Sequence, residues 1–539
     1  MNTALLLNLL LTLGAAPAEE PPLNILWLSI EDMSPWIACY GDETVPTPHL
    51  DRLARESWIF DRAYATSPVC APARSTLITG QYATAMGTAH MRTGNPSQAA
   101  LDKNPRAYDG IPTYEGVPSP EVRCFPELLR DAGYYCTNTA KTDYQFKAPA
   151  TVWDQSNGKA HWRHRADGQP FFSVFNHAGT HESQAFPSAR RRPEQIAAAD
   201  VSIPPIYPDT PAVRDALART YNNIAAMDGW IGDRLAELEA ADLLESTAIF
   251  VFSDHGVGLP RGKRSPTDLG TRVPLLVRLP GGEARRTGRV VSFVDFAPSV
   301  LHLAGVEIPP HMPGRPFAGA DLPPGRRYAF THADRFDAAI DSARSVSDGR
   351  WRYVRNYAVN TPFLIPNAYR ERLAMTADIA ALLGATNGPA AQWMWRCSER
   401  PVEELYDSLN DPWETQNLAG DLQHAATLGR LRSQLDAWIE STGDLGLVLP
   451  ESRMVTEHLW PELEQPETAP PALVRTPNGW RLTSATHGAS LGYRAQETGP
   501  WSLGAKQIDL APGTRFEALA HRIGYAPTRV TLHIPQSED

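Results

Sequence analysis

Residues 23–32 read LNILWLSIED, an uninterrupted apolar run that ends in Glu31 and Asp32. A continuous apolar run of this length is typical of a strand buried on both faces of a parallel sheet. A second such run, AIFVFSDHG, ends in Asp254 and His255. Ligands of open α/β sheets bind at the carboxyl ends of the strands. The sequence therefore predicts that these acidic and imidazole side chains meet at one ligand-binding edge.

Helical patterns alternate with these strand patterns over residues 20–340. Helical periodicity is present at 48–57 and 220–240, and PFFSVFN at 170–176 is a further apolar strand. Alternation of strands and helices predicts an α/β fold with a large, mostly parallel sheet flanked by helices. We expect one catalytic domain over residues 19–343.

The pattern changes after this point, and three further units are predicted. RSVSDGRWRYVRNY at 344–357 alternates around an Asp-Gly pair, which predicts a β-hairpin. We place it in a smaller antiparallel C-terminal subdomain over 344–460. Residues 461–471 are rich in Pro and Glu and predict a linker. Short alternating segments with Gly and Pro turns predict a terminal β-sandwich over 472–539.

Composition and the N-terminus limit the possible partners and location. The 539 residues carry 50 Lys and Arg against 61 Asp and Glu, a formal charge of −11. This balance argues against a general binder of nucleic acid or anionic membranes, so an anionic ligand requires a local basic pocket. Residues 1–18 combine an apolar run with the small-residue pattern APA, which predicts a signal peptide and a secreted or periplasmic protein. No later stretch has the length and apolarity of a membrane span.

The chain has five cysteines, none of them in a CxxC pair. This argues against a zinc ribbon or a thioredoxin-like site. An odd number in a secreted protein leaves one thiol to be explained. Cys124 and Cys136 either close a short disulfide loop or are free buried thiols, and the sequence leaves both interpretations open. Cys70 precedes a helical pattern, where the helix dipole lowers a thiol pKa, and Arg74 follows one turn later.

Several separated segments resemble the formylglycine-dependent sulfatases, in the order found in that family. They are NILWLSIED from residue 24, TPHLDRLA from 47, CAPARSTLITG from 70, SDHG from 253, GTRVPLLVR from 270 and ELYDSLNDPWETQNLA from 404. The resemblance implies an alkaline-phosphatase-like fold and a secreted sulfuric ester hydrolase. It also implies that a dedicated maturation enzyme oxidises Cys70 to formylglycine (3-oxoalanine), which leaves four cysteines.

The resemblance further implies a calcium site. Its ligands would be Glu31, Asp32, residue 70, Asp254 and His255. Glu31 stands where Asp is commoner in the family, and His255 stands where an amide is common. Since calcium accepts imidazole poorly, Mg²⁺ or Mn²⁺ stays possible. A divalent cation would ionise the attacking hydroxyl and screen the sulfate oxygens.

By family position, the nucleophile and sulfate-binding residues look like Cys70, Arg74, Lys141, His181 and Lys263. Asp143, in TAKTDYQF, occupies the position of the family's usual His and is a candidate for the base of the elimination step. His181, in GTHES, follows the PFFSVFN strand as the leaving-group acid commonly does, and His177 is the competing candidate. A hydrated aldehyde at residue 70 offers two hydroxyls on one carbon, one to attack sulfur and one to expel sulfate.

Loops around this constellation are predicted to bind the substrate. The candidates are His90, Arg92, His161, Trp162, Arg163, His177 and Arg335, the last beside Asp337. An aromatic ring next to cations suits a sugar that carries a sulfate or carboxylate. The PFF, THES and KTDY segments resemble the branch of N-sulfoglucosamine sulfohydrolases and bacterial polysaccharide sulfatases, which implies an O- or N-sulfated carbohydrate. The tail is similar to the small β-domain beside chitobiase-type enzymes and carries no catalytic motif.

Two other functions stay open at this point. A phosphonate or phosphodiester hydrolase uses the same fold and the same modified residue, and sulfate and phosphate esters share tetrahedral geometry. The other alternative is an unmatured carbohydrate-binding relative in which Cys70 remains a thiol.

Overall fold

The computed structural model describes residues 22–93, 113–496 and 498–536. The predicted signal peptide at 1–18 lies outside the described residues. The helices are α1 Pro48–Ala54, α2 Cys70–Thr79, α3 Pro126–Asp131, α4 Pro211–Glu239, α5 Asp268–Thr271, α6 Phe296–Leu303, α7 Met375–Ala380, α8 Trp393–Arg396, α9 Ala425–Thr442 and α10 Glu451–Met454. Three short 3₁₀ turns matter below: Trp162–His164, Glu182–Ala185 and Arg370–Arg372.

The strands form one large sheet and three smaller ones within the described residues. In chain order they are β1 Asn24–Ile30, β2 Trp58–Tyr64, β3 Tyr135–Asn138, β4 Gln155–Ser156, β5 Phe171–His177, β6 Thr247–Ser253, β7 Arg272–Val273, β8 Leu275–Arg278, β9 Arg285–Ser292, β10 Ala329–Ala333, β11 Ala343–Ser347, β12 Trp351–Asn356, β13 Glu403–Asp407, β14 Ala472–Thr476, β15 Gly479–Thr483, β16 Ser490–Arg494, β17 Ser502–Leu503, β18 Arg515–His521 and β19 Thr528–His533.

The large sheet has the order β4-β3-β5-β1-β6-β8-β2-β7, and β9 also pairs with β2. Strands β3, β4, β5, β1 and β6 run parallel, and β8 is antiparallel to β6 and to β2. This is the mostly parallel α/β sheet that the sequence predicts. Since β1 lies between β5 and β6, the chain segments after all three strands emerge at one edge.

The apolar run of β1 is explained by two cores, one on each face of the sheet. Leu28 and Ile30 pack in one core with residues of the long helix α4. Ile25 and Trp27 pack in the other core with residues of α2 and α6. Because side chains alternate between faces along a strand, a strand covered on both sides must be apolar at every position.

A four-stranded antiparallel sheet follows, with the order β10-β11-β12-β13. The predicted hairpin is confirmed: Ser347 pairs with Arg352, and Gly349 in the turn has a φ of 89°. Helix α9 packs on this sheet through Leu435 and Trp438. The first strand of this sheet, β10, precedes residue 344, where we placed the start of the C-terminal subdomain from sequence.

The C-terminal residues form two antiparallel sheets, β14-β15 and β17-β16-β18-β19. They share an apolar core that includes Leu482, Tyr493 and Phe516. This unit is joined to the large domain by a buried contact, since Ser490 Oγ donates to Glu127 Oε2 at 2.9 Å. The antiparallel sheets with a shared core match the predicted terminal β-sandwich.

Two sequence questions are settled by the described residues. All five cysteines are free, so Cys124 and Cys136 are buried thiols rather than a disulfide. No helix in the described ranges has both the length and the apolarity needed to cross a membrane.

Candidate active site

The central strands β1 and β6 bring their terminal acids together. Ile30 lies opposite Ser253 in the parallel register, so Asp32 and Asp254 follow at the same edge. The backbone N–H of Asp32 donates to Asp254 Oδ1 at 3.1 Å. Asp32 has a φ of 54°, a left-handed conformation that costs energy for a residue with a Cβ. The hydrogen bond to Asp254 offsets part of that cost.

Cys70 is the first residue of α2 and faces these acids. It is 2% exposed, and its Sγ lies 3.2 Å from His255 Nε2. The other ring nitrogen of His255, Nδ1, lies 2.9 Å from Gly256 O, and Nε2 lies 3.1 Å from Asp32 Oδ1. Burial alone would lower the pKa of His255, but the carboxylate of Asp254, with Cys70 and Asp32, raises it well above its ordinary value.

Each acid at this edge is also paired with a lysine or an arginine. Lys263 Nζ lies 2.8 Å from Asp32 Oδ2 and 3.0 Å from its Oδ1. Arg74 Nε donates to Asp254 Oδ2 at 3.0 Å, and Lys141 Nζ donates to Glu31 Oε2 at 2.9 Å. Burial alone would raise the pKa of Asp32, but the Lys263 ammonium, with His181 and His255, holds it well below its usual range.

The loop after β6 folds tightly back over the site, and this is what delivers Lys263. Added Cβ atoms would lie 1.9 Å from Leu269 O at Gly256, and 2.6 Å from Glu182 Cβ at Gly258. Only glycine fits at such close approaches. The backbone N–H of Lys263 donates to Val257 O at 2.8 Å, which closes the loop.

His181 follows β5 and joins the same cluster. Its Nδ1 accepts from the backbone N–H of Ser183 at 3.3 Å and lies 2.9 Å from Ser183 Oγ. Because Nδ1 is an acceptor, neutral His181 carries its proton on Nε2. Burial, and then the charge of Lys263, lowers the pKa of His181.

The second candidate acid, His177, lies elsewhere. Its ring packs against Trp230 with 4.9 Å between centroids. Burial, and then the charge of Arg192, lowers its pKa to about 4. His181, and not His177, belongs to the group of possible metal-ligating side chains around Cys70.

Asp143 lies beside the cation Lys141. Its Oδ2 is 3.7 Å from Lys141 Nζ. Its φ is 50°, again left-handed. Its negative charge is among the influences that raise the pKa of Arg74 and of Arg92. The role of Asp143 as the base of the elimination step stays a prediction.

The cluster can hold a divalent metal. The possible ligand atoms of Glu31, Asp32, Cys70 and His181 lie within 4.8 Å of one another, and so do those of Cys70, Asp254 and His255. Three buried carboxylates provide the oxygen donors that hard divalent cations prefer. A cation there would also offset the repulsion among these carboxylates. The donor set therefore fits a divalent cation.

Two predicted substrate-binding residues are engaged inside the protein. Arg335 forms two hydrogen bonds with Glu451, at 2.6 and 2.7 Å. His90 Nδ1 accepts from the backbone N–H of Arg335 at 3.3 Å. Both side chains are buried. Arg92, in contrast, is partly exposed, and its Nε lies 3.2 Å from Asp337 Oδ1.

The AHWRHR segment forms a cleft wall and part of the core. His161 lines a cavity of about 230 Å³ together with Asn176, Trp230 and Arg234, and its Nε2 lies 3.3 Å from Glu237 Oε2. Trp162 is buried and stacks on Phe171 at 5.5 Å. Arg163 lies over the Trp162 ring at 4.9 Å. Of this segment, Ala160 and His161 line that cavity.

Sequence reasoning missed several residues that hold the site together. Glu182 accepts from Arg264 Nη1 and Nη2 at 2.8 and 2.7 Å and lies 3.2 Å from Lys263 Nζ. Its backbone N–H donates to Asp32 Oδ2 at 2.7 Å. Asn176 Oδ1 accepts from Arg74 Nη1 at 2.9 Å. The available signals were the acid directly after His181 and the basic pair at 263–264.

Comparison with known proteins agrees with this geometry. Residues 23–306 match the family model described as Sulfatase. The chain is 38% identical to an ulvan-active sulfatase of Formosa agariphila over 95% of its length and 91% of that protein. It is 28% identical to the N-sulphoglucosamine sulphohydrolase of Homo sapiens, over 85% of the chain and 97% of the relative.

The fold is also found in a solved structure, a phosphonate monoester hydrolase from Silicibacter pomeroyi. The TM-score is 0.52 at 17% sequence identity, with 86% of this chain and 100% of the other covered. This likeness concerns the fold alone. Two other findings identify the family: the match of residues 23–306 to the family model, and the 38% identity over 95% of the chain. The chain belongs to the sulfatase family and is a sulfatase with the alkaline-phosphatase-like fold that the sequence predicts.

Proposed function

We propose that this sulfatase removes sulfate from an O- or N-sulfated carbohydrate by means of a formylglycine derived from Cys70. The observation that carries the proposal is the position of Cys70 Sγ. It lies 3.2 Å from His255 Nε2 and 4.0 Å from Asp32 Oδ1, at the start of a buried helix. A nucleophile so placed stands between the candidate metal ligands and the cations that would bind sulfate.

The choice of a carbohydrate rests on the relatives and on the cleft. Two relatives are named for ulvan and for N-sulphoglucosamine. In this chain, His161 and Trp230 line a cavity near Asn176, which itself bonds Arg74. Aromatic rings beside hydrogen-bonding groups suit a sugar ring. The site therefore supports a sugar next to the sulfate.

Residue 70 would act as the nucleophile. As a hydrated aldehyde, it would present one hydroxyl that attacks sulfur and a second that later releases sulfate by cleavage of the carbon–oxygen bond, so that one hard step becomes two easier ones. A maturation enzyme must supply this oxidation, which makes that enzyme a required partner. Sγ of Cys70 marks where the hydroxyl oxygens would stand.

Three cations would hold the sulfate. Arg74, Lys141 and Lys263 end next to Asp254, Glu31 and Asp32 respectively. Their positive charges can be shared between those acids and the oxygens of a bound sulfate. Preorganised charges in a site protected from water stabilise the charge that develops on these oxygens.

Two further groups would move protons. In the imidazolium form of His181, Nδ1–H would donate to Ser183 Oγ, and the proton on Nε2 would pass to the departing sugar oxygen or nitrogen, leaving a neutral ring. Asp143 would accept the proton released in the elimination step, through its position beside Lys141. His177, packed on Trp230, would contribute to the sugar side of the cleft.

The candidate metal ligands are Glu31, Asp32, residue 70, Asp254 and His255, and calcium is the proposed ion. When bound, the cation would lower the pKa of the attacking hydroxyl and neutralise charge on sulfate. The chain's own residues orient these ligands: the backbone N–H of Asp32 donates to Asp254 Oδ1, and the backbone N–H of Glu182 donates to Asp32 Oδ2. Mg²⁺ and Mn²⁺ are the alternatives because of the imidazole of His255.

We also propose a secreted or periplasmic location, with residues 1–18 removed as a signal peptide. The proposed domains are a catalytic unit over 19–343, a subdomain over 344–460, a linker over 461–471 and an accessory β-domain over 472–539. The proposed linker is anchored, since the backbone N–H of Thr468 donates to Ala526 O at 2.9 Å. This contact favours a packing role for the β-domain.

Matched aryl esters test the reaction class. We expect the protein, produced together with the maturation enzyme, to hydrolyse 4-nitrophenyl sulfate with a higher kcat/KM than 4-nitrophenyl phenylphosphonate or bis(4-nitrophenyl) phosphate. The physical reason is that the site is proposed to match the charge of a sulfate monoester. Ion chromatography of sulfate released from defined sulfated glycans then identifies the sugar. Faster turnover of either phosphorus ester would reject sulfatase chemistry as the main activity.

Metal removal is expected to abolish turnover while leaving the fold in place. Treatment with EDTA followed by gel filtration should lower kcat by at least about 100-fold, because the attacking hydroxyl is no longer ionised. The proposed metal ligands are not themselves members of the two apolar cores that cover the large sheet, so circular dichroism at 25 °C should not change. Activity measured after addition of Ca²⁺, Mg²⁺ or Mn²⁺ identifies the ion. Unchanged turnover after complete chelation, verified by elemental analysis, would contradict the metal proposal.

A further inference from the structure

Among the residues that the structure describes, Arg370 is a buried arginine whose guanidinium has no acidic partner. It is the first residue of the 3₁₀ turn Arg370–Arg372 and is 4% exposed. Its Nε has no hydrogen-bond partner, and its guanidinium forms no ion pair among the residues that the structure describes. Burial of an unpaired charge is costly, so buried arginines are almost always paired with an acid.

The neighbours of Arg370 increase this cost. Arg264 is the strongest charged influence on it, and it is also a cation. Burial, and then the charge of Arg264, lowers the pKa of Arg370 to about 9. Three acids act on Arg370, namely Glu182, Asp341 and Glu371. In the described part of the chain none of them forms an ion pair with it: Glu182 binds Arg264 at 2.7 Å, and Asp341 binds Arg400. The positive charge of Arg370 is therefore not neutralised by the chain's own carboxylates.

This arginine lies at the wall of the active site. Glu182, which also acts on Arg370, forms an ion pair with Lys263, and its backbone N–H donates to Asp32 Oδ2. Tyr369, next to Arg370 in the chain, packs its ring against His181 with 6.1 Å between centroids. The expected sulfate-binding cations are buried to the same degree, at 1% for Lys263 and 5% for Arg74. The low exposure of Arg370 is therefore consistent with a role in binding substrate.

We infer that Arg370, supported by Arg264, forms a subsite for a second anionic group on the sugar, next to the sulfate that is removed. The inference rests on the proposed function and names a feature of its substrate. The group is an oxyanion, either a carboxylate or a second sulfate, since a guanidinium binds both in a two-pronged arrangement. The Nε atoms of Arg264 and Arg370 both lack a partner and provide donors for it.

The test compares three sugars that differ in one group. They are a methyl glucoside monosulfate, the corresponding uronic acid with the sulfate at the same position, and the corresponding disulfate. The position is the one at which the enzyme is fastest. We expect kcat/KM to be at least about tenfold higher for one or both dianionic sugars than for the monosulfate, mainly through KM. Comparison of the sulfated uronic acid with the disulfate shows whether the subsite binds a carboxylate or a second sulfate.

Arg370→Gln should remove this preference. The ratio of kcat/KM values should fall to near one, and turnover of the monosulfate should stay within about threefold of the unmodified enzyme, since no contact to the sulfate is lost. Arg370→Lys should keep part of the preference. Tm of Arg370→Gln should be unchanged or higher, because the variant loses an unpaired buried charge. A purely structural arginine would instead lower Tm and slow all three sugars equally.

Arg372→Gln is the matched control. Arg372 belongs to the same turn but is exposed and lies over the rings of Phe186 and Tyr369. It should keep the full preference. Three results would overturn the inference. They are a wild-type kcat/KM for the dianionic sugars that is no higher than for the monosulfate, a preference for dianionic sugars that survives in Arg370→Gln, and an equal loss of that preference in Arg372→Gln.

A binding series separates this inference from the proposed function. Isothermal titration of the three sugars into Cys70→Ser protein measures recognition without turnover. Tighter binding of a dianionic sugar that is lost in Cys70→Ser/Arg370→Gln supports the subsite even where no sulfate is released. Absence of sulfate release from all sugars by the matured enzyme would overturn the proposed function alone. Equal binding of the three sugars would overturn the subsite alone.

Discussion

Cys70→Ala is expected to lower kcat by about four orders of magnitude or more, because it removes the group that forms the bond to sulfur. Cys70 lies 3.2 Å from His255 Nε2 and 4.0 Å from Asp32 Oδ1, and no other cysteine contacts these residues in the described chain. Sulfate release from the best sugar in single-turnover and steady-state assays measures the effect. Residual activity within tenfold of the wild-type enzyme would contradict the assignment.

The stability of this variant is expected to change little. The substitution removes one buried sulfur, and the loss for such a small cavity is about 1 kcal/mol. Cys136→Ala is the matched control, since Cys136 is a free, fully buried thiol in β3. It should lose a comparable amount of stability and retain full activity. Thermal unfolding of both variants separates a folding defect from a chemical one.

Two measurements test whether Cys70 acts in its oxidised form, formylglycine. Cys70→Ser keeps the size and polarity of the side chain but not the thiol that is oxidised, so it should be as inactive as Cys70→Ala. Mass analysis of the Cys70 peptide from matured wild-type protein should show the aldehyde in place of the thiol. A peptide that carries an unmodified thiol in fully active protein would rule out formylglycine as the nucleophile.

The large sheet and the position of the active site could be predicted, because both depend on where apolar runs occur and end in the sequence. β1 and β6 are apolar at most positions because both faces of the sheet are covered, and the sequence shows this directly. The acids at 31, 32 and 254 follow from where those runs end. The parallel pairing of Ile30 with Ser253 then brings them together without any further information.

The side-chain contacts around the active site could not be predicted, because they depend on how loops fold. Arg335 was expected to bind substrate, yet its guanidinium is held by Glu451, which is 116 residues away in the chain. Glu182 and Arg264 went unnoticed because a single acid after a histidine, or a basic pair, is usually a solvated surface feature. Their pairing depends on a loop that passes close to Asp32 at Gly258.

Arg74→Lys and Arg74→Ala are expected to have the second largest effect on activity. Arg74 donates through Nε to Asp254 Oδ2 at 3.0 Å and through Nη1 to Asn176 Oδ1 at 2.9 Å, which fixes the plane of its guanidinium beside Cys70. A lysine keeps the charge but cannot make both bonds and still reach a sulfate. We expect kcat/KM to fall by about 100- to 1,000-fold in Arg74→Lys.

Arg74→Ala should be less active still, but part of its loss would come from stability. Asp254 is fully buried, and removal of its cation leaves an uncompensated carboxylate, which costs about 3–5 kcal/mol. Thermal unfolding should therefore show a clearly lower Tm for Arg74→Ala than for Arg74→Lys. Equal Tm values would show that the Arg74–Asp254 pair does not stabilise the fold.

Arg278→Lys provides the control that separates chemistry from packing. Arg278 is 6% exposed, close to the 5% of Arg74, and it binds Glu56 and Glu245. It pairs with Ile249 near the start of β6, so it lies at the opposite edge of the sheet from Asp254. Arg278→Lys should lose stability and keep kcat/KM within about threefold. An equal loss of activity in Arg278→Lys would show that Arg74 acts through the fold, whereas full activity there assigns the loss in Arg74→Lys to the sulfate site.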